Sequence, residues 1–169
     1  MSQISIRQAH LDDRALIRSI SERTWPSTYG HIISQEQIDF MLDWMYSDHS
    51  LEQQFNKGCQ FYIASISNEK GVIDEIGFCS VSPEENHAHK LNKLYVLPKA
   101  HGTGSGKALL NKAIEVAKAG GSSSLFLQVN KLNTAYTFYL KHGFVKESDF
   151  KFDIGNGFFM DDYVMRLHF

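Results

Sequence analysis

The amino-acid sequence predicts an α+β domain, a mixed α/β fold whose sheet is largely antiparallel. Three observations predict it. Short β-type runs follow one another between residues 60 and 97, a glycine-rich turn at 102–106 opens a strong helix leading into a buried strand, and residues 144–167 read as a hairpin. Antiparallel strands thus precede one β-α-β unit, and two paired strands close the chain.

Residues 3–8 alternate Ile4 and Ile6 with polar side chains, the pattern of a half-buried strand. Asp12 and Asp13 then suit a helix N-terminus, and Leu16, Ile17, Ile20 and Thr24 recur at helical spacing. Pro26 is expected to stop that helix, since proline lacks the N–H and crowds the preceding turn. Ser34 with Gln37 forms a capping box in front of Ile38, Met41, Leu42 and Met45, a second amphipathic helix that a short piece near Leu51 and Phe55 continues. Strands are expected at 61–66, 76–81 and 91–97, with turns at 68–71 and 82–86. After the glycine turn, Leu109, Leu110, Ala113, Ile114 and Ala117 line one helix face before Gly120 and Gly121 end it. Residues 125–129 form a buried strand, 133–142 a helix with Gly143 as its left-handed cap, and 144–152 and 158–167 the strands around Gly155-Asn156-Gly157. The expected order is β-α-α-β-β-β-α-β-α-β-β.

With 169 residues, the chain has length for one substantial core and not for two catalytic domains, so residues 1–169 are read as a single domain. Its 17 basic and 19 acidic side chains leave a net charge of −2, which argues against a nucleic-acid partner, because such binding rests on Lys and Arg meeting phosphates. No apolar run approaches the roughly 20 residues that span a bilayer, and the first residues lack a signal-peptide stretch, so no membrane is expected and the protein is read as cytoplasmic. Cys59 and Cys79 form no CxxC pair, which removes a zinc ribbon or disulfide scaffold; both are expected to be buried, reduced thiols.

Among 12 glycines, Gly102, Gly104 and Gly106 crowd one spot, between the strand ending at Leu97 and the helix after Lys107. A helix N-terminus carries unpaired N–H groups and the positive end of the dipole, and alternating glycines let several amides curl around an anion. A Walker A loop fails at two positions, since His101 stands five places before Gly106 and Ala108 follows Lys107. A dinucleotide fingerprint fails as well, with Lys107 where its third glycine belongs and only Ser122 to Ser124 where its acidic residue should be. A connection that holds no ligand is the plain alternative.

A second motif follows the next strand: Asn133, Ala135, Tyr139, Gly143 and Phe144, in the pattern Asn-x-Ala-x-x-x-Tyr-x-x-x-Gly-Phe. Together with His101-Gly102-Thr103-Gly104-Ser105-Gly106, it resembles the GNAT acyltransferase superfamily, whose pyrophosphate loop reads Arg/Gln-x-x-Gly-x-Gly/Ala. His101 departs from the family's Arg or Gln. Residues 25–30, Gln37-Ile38-Asp39 and Lys93-Leu94-Tyr95-Val96-Leu97-Pro98 look like the Pai-type polyamine N-acetyltransferases.

The resemblance implies a central, mostly antiparallel twisted sheet flanked by helices, with a β-α-β cofactor unit, and acetyl transfer from acetyl-CoA to a primary amine by direct attack in a ternary complex. It implies coenzyme contacts at Leu94, Tyr95 and Val96 through main-chain groups, at His101, Gly102, Thr103, Gly104, Ser105, Gly106 and Lys107 around the pyrophosphate, and at Asn133, which also reads as a helix cap. Tyr139 aligns with the general acid; a phenol of pKa about 10 stays protonated at neutral pH beside a thiol near 8.5. Trp25 and Tyr29 fall where the family builds its acceptor wall, although core packing explains them nearly as well.

The strand at 89–94 carries no carboxylate for a general base, so deprotonation is expected through water relayed by Asn92 or His89, or through a Glu or Asp arriving from elsewhere. Asp161 and Asp162, with Glu147 and Asp149 nearby, offer acidity for a polyamine, against the ordinary reading of a solvated face. His87 and His89 lack a third metal ligand and read as a polar strand start, so no metal is expected, and Cys79 reads as a small core residue rather than a nucleophile. The acceptor is expected to be a small-molecule amine, a polyamine being one candidate. A protein N-terminus or lysine is the rival within the fold, a non-catalytic acyl-CoA-binding regulatory module the rival outside it, and a homodimer stays open.

Overall fold

A computed structural model describes residues 2–169. The first strand, β1 (Gln3–Gln8), is tied to two later segments by Arg7, whose guanidinium holds Asp13 at 2.8 Å and Glu75 at 3.0 Å. A short 3-10 turn, Leu11–Asp13, leads into α1 (Arg14–Tyr29).

Pro26 lies inside α1 and does not end it. Interior proline costs about 3 kcal/mol, whereas burying Trp25 and most of Tyr29 on the same turn returns about 2–3 kcal/mol each, so the helix continues. The carbonyl that proline leaves without a partner belongs to Glu22, on the exposed side. The helix stops at Gly30, whose N–H donates to the Pro26 carbonyl at 2.9 Å.

Helix α2 (Gln35–Tyr46) starts as expected, with Ser34 Oγ accepting from the Gln37 N–H at 3.1 Å. The Gln37 side chain does not complete a capping box. It donates instead to the Phe159 carbonyl at 2.9 Å and so ties α2 to the C-terminal hairpin. The piece around Leu51 and Phe55 is a separate helix, α3 (Asp48–Asn56): Ser47 turns extended, ends α2, and caps α3 by accepting from Ser50 N–H.

Strands β2 (Gln60–Ser67), β3 (Ile73–Glu84) and β4 (Ala88–Val96) form an antiparallel meander with longer strands than the apolar runs suggest. The β3–β4 turn is correspondingly tighter, three residues between the paired Glu84 and Ala88, with Asn86 and His87 at φ 60° and 55°. After β4 come a 3-10 turn at Pro98–Ala100 and α4 (Ser105–Ala119), then β5 (Ser124–Asn130), α5 (Ala135–Lys141), β6 (Val145–Gly155) and β7 (Phe158–His168).

The seven strands lie in the order β1-β2-β3-β4-β5-β7-β6, and only β4 and β5 run parallel. The mixed α/β class expected from the sequence is therefore the observed one. Adjacent residues of β3 show how the layers form: Phe78 meets Tyr46 of α2 at 6.2 Å between ring centroids, while Cys79 points oppositely, its thiol against the Leu109 carbonyl of α4. On α4, Leu109, Leu110, Ala113 and Ala117 are fully buried, as their spacing requires. Both cysteines are free, but Cys59 is only half-buried, since it follows the turn after α3 rather than facing the core. No helix among the described residues is long and apolar enough to cross a membrane.

Candidate active site

Strands β4 and β5 pair over only four positions, from Ala88 opposite Ser124 to Leu91 opposite Leu127, and then separate. The cause is local. Val81 of β3 faces Leu91 while Ser80 faces Lys93, so Asn92 is an extra residue in β4, a bulge that bends the strand away from β5. Its amide is anchored on β3 by a 3.0 Å bond to Ser82 Oγ. Beyond Leu91, β4 borders a cleft of about 50 Å³ along Asn92 to Tyr95, and Val96, expected among the coenzyme contacts, lies outside its lining.

Leu94, Tyr95, Asn133 and Tyr139 all line this cleft. Tyr139, 6% exposed, stacks on Phe144 with centroids 5.5 Å apart and planes at 9°. Burial pushes its phenol well up, so it is protonated at any physiological pH. Asn133 Oδ1 accepts from the Ala135 N–H at 2.9 Å, but the N-cap position itself falls on Thr134, one residue later than expected.

At one end of the cleft, the glycine turn holds Gly102 and Gly104 at φ 80° and 89°, conformations that L side chains rarely adopt. Thr103 shapes it, its hydroxyl bonded to the Ala100 carbonyl at 2.6 Å and to Ser105 Oγ at 2.7 Å. The amides of Gly102, Gly104, Gly106 and Lys107 find no acceptor among the described residues, and the last two open α4. This donor set fits a pyrophosphate, with the helix dipole adding to it. His101 turns the other way, its ring nitrogen on the Val96 carbonyl at 2.9 Å, so the ring braces β4 instead of facing the loop's anion side.

A larger cavity of about 380 Å³ shares Tyr29, Asn92, Tyr95 and Gln128 with the cleft. Trp25, only 1% exposed, forms part of its wall and packs on Tyr29 at 4.6 Å, so it belongs to both core and cavity. The Tyr29 and Tyr95 hydroxyls are 3.0 Å apart and join α1 to β4 at the boundary between cleft and cavity. Two buried polar atoms on the cavity wall, Trp25 Nε1 and the Tyr46 hydroxyl, have no partner among the described residues. Lys93 stands over the Tyr46 ring and donates to Gln54 Oε1 at 2.6 Å; burial lowers its pKa to about 8. Lys90 reaches across to Gln128 Oε1 at 3.2 Å.

The outer wall comes from α2 and the C-terminal hairpin, of which the sequence singles out only the acidic residues and Gln37-Ile38-Asp39, not the aromatic ones. Trp44 of α2 and Phe150, Phe152 and Phe159 of the β6–β7 hairpin close over the cavity, as does Asp162 of β7. The period-two spacing of Phe150 and Phe152 shows that they share a face, and nothing in it shows that this face meets α2.

Other candidate residues lie away from the chemistry. His89 is buried under the far end of α4, with Nδ1 2.6 Å from Ser122 Oγ and its ring where a Cβ on Gly120 would sit, so it relays no proton to this cleft. His87 occupies a tight turn, and no group of three metal-ligating side chains occurs among the described residues. Cys79 is fully buried and its thiol is pushed up to about 12, which removes it as a nucleophile.

Comparison with known proteins agrees with this geometry. Residues 57–146 match the acetyltransferase (GNAT) domain family. An uncharacterised N-acetyltransferase of Mycobacterium tuberculosis is 35% identical over 92% of this chain and 97% of its own length. The spermidine N(1)-acetyltransferase of Thermoplasma acidophilum is 29% identical over 94% of this chain and 96% of its own. The crystal structure of the PaiA N-acetyltransferase of Thermoplasma acidophilum in complex with coenzyme A superposes with a TM-score of 0.79, at 25% identity, covering 99% of each chain. By the family match and these relatives, the chain belongs to the GNAT family as an N-acetyltransferase that uses acetyl-CoA.

Proposed function

We propose that the chain acetylates the primary amine of a small molecule, polyamines among the candidates, by direct attack within a ternary complex. The cavity of about 380 Å³ beside the thioester cleft carries this reading: it lies within the roughly 300–1,000 Å³ of small-molecule sites, and aromatic side chains of the hairpin and α2 close it over. Ring faces of Trp25 and Tyr29 suit a cationic amine, and the spermidine acetyltransferase relative supports that class. Bound acetyl-CoA supplies a thioester whose carbonyl carbon accepts the amine and whose sulfur departs.

In this reading the main-chain groups along 92–96 hold the acyl donor's arm and polarise the carbonyl oxygen, and the amides of 102–107 fix the pyrophosphate. Tyr139 donates a proton to the leaving sulfur, the role for which a buried, protonated phenol in the cleft is suited. The test is thiol release from acetyl-CoA with spermidine, benzylamine and an alanine-initiated peptide. Turnover of a small amine with the peptide inert is expected. Peptide turnover with all small amines inert would reject the reading in favour of a protein acceptor, and binding of acetyl-CoA without turnover of any acceptor would identify a silent binding module.

A further inference from the structure

The sequence groups four carboxylates into a local acidic region, and the structure separates one from the other three. Glu147 is held by Arg166 Nε at 3.0 and 3.1 Å, Asp149 by Lys146 at 3.0 Å, and Asp161 by Lys131 at 3.1 Å, all near the surface. Asp162 is only 3% exposed, and its carboxylate makes no hydrogen bond or ion pair among the described residues. It sits on β7 between Asn130 of β5 and Phe150 of β6, and it lines the larger cavity. A buried carboxylate without a partner is costly, so folding leaves here a place that a cation entering the cavity would complete.

We propose that Asp162 receives the acceptor: its carboxylate pairs with the ammonium group inside the larger cavity and takes its proton before attack. This deepens the small-amine reading above and rests on it. The groups facing Asp162 do not compete for the position. Lys90 of β4 is engaged with Gln128, Lys93 on the same cavity wall with Gln54, and Lys131 beyond β5 with Asp161, while Phe150, Gln37 and Met41 bring no charge. Tyr29 of α1 lines both this cavity and the cleft and bonds Tyr95 at their boundary, so the cavity that Asp162 lines is continuous with the cleft.

In the step itself, an N–H bond of the ammonium breaks, an O–H bond forms on Asp162, and nitrogen keeps the electron pair with which it attacks. Two charges become two neutral groups, a change that burial favours because it raises the acid's pKa and lowers the amine's. Burial is the largest cause of an Asp162 pKa pushed up to about 6; Asp161 adds to it, and Lys90 and Lys131 oppose it. After attack the nitrogen gives up a second proton, which replaces the one Tyr139 donates to the sulfur; the product amide keeps a single N–H, and Asp162 returns its own proton to solvent through the cavity mouth.

The experiment compares wild type, D162N and D161N with spermidine and benzylamine. D162N is expected to lose about 100-fold in kcat/KM and the acidic limb of its pH profile, while the thermal shift given by acetyl-CoA is kept and D161N stays within about twofold of wild type. An active wild type with D162N within about fivefold and its acidic limb intact would overturn the Asp162 assignment alone. A wild type inert toward every small amine would overturn the small-amine reading and this assignment with it. Should D162N fail to bind acetyl-CoA, the carboxyl carbon of Asp162 is titrated by NMR in the wild type with and without benzylamine. A fall in its pKa of about one unit with the amine is expected, and no change overturns the proposal.

Discussion

Along the cleft between β4 and β5, and in the glycine turn that follows β4, the chain offers main-chain groups, whereas across the Tyr29–Tyr95 bond the cavity is walled by side chains from α1, α2 and the β6–β7 hairpin. The first half needs only a backbone path, set by one bulge at Asn92 and two left-handed glycines. The second needs Trp25, Trp44, Phe152 and Asp162, which lie on four different elements. A site built from main chain tolerates almost any side chain around it, as His101 illustrates by turning onto Val96 where the family keeps Arg or Gln. A site built from side chains is free to change its ligand by single substitutions.

Four measurements would break or sharpen that contrast. Gly104→Val forces a β-branched residue to φ 89° and should weaken acetyl-CoA binding about 100-fold by calorimetry. Gly71→Val, at φ 77° in a distant turn, should cost stability without that loss of affinity; equal losses would mean that the loop acts only through folding. Next, Tyr139→Phe should lower kcat by about 10- to 100-fold, with the amine KM and the melting temperature nearly unchanged, because its hydroxyl has no partner among the described residues. Unchanged turnover across pH would move the proton donor elsewhere.

The third measurement concerns stability. Asp162 titrates near 6 in the folded chain against about 3.9 when unfolded, so its charge penalises the fold fully above pH 6 and not at all below about pH 4. D162N should therefore be more stable than wild type by on the order of 2–3 kcal/mol at pH 7, a difference that vanishes as pH falls through 6 to 4 in denaturant titrations. A carboxylate with a hidden structural partner would show the opposite sign. The smallest effect is expected at the rim, where half-exposed Phe152→Ala should raise the KM for benzylamine about fivefold and leave kcat and acetyl-CoA binding alone.

Most of the element order was legible because periodicity reports burial directly: the α4 face and the β5 strand lie where their apolar spacing puts them. Pro26 misled because the local cost of proline is smaller than the burial of Trp25 and Tyr29 around it, a quantity that only packing reveals. Gln37 misled in the same way, since its amide meets the Phe159 carbonyl, 122 residues away in the chain. The acidic residues near the C-terminus were visible as a group. Which of them is unpaired was not, because two of the partners, Lys131 and Arg166, are brought to Asp161 and Glu147 by the pairing of β7 with β5 and β6, and only the Lys146–Asp149 pair is local.

Residue types alone settle what backbone conformation dictates: glycines at 102 and 104 allow the loop, Asn133 accepts from the first amide of the helix that presents Tyr139, and both motifs are short enough for spacing to specify them. The parting of β4 from β5, the burial of Asp162 beside an aromatic cavity, and the retreat of His89 beneath α4 arise only when distant strands and helices meet. Local geometry is encoded over a few residues, while a side chain's partner, and with it its charge and chemistry, is set by whatever the fold brings alongside.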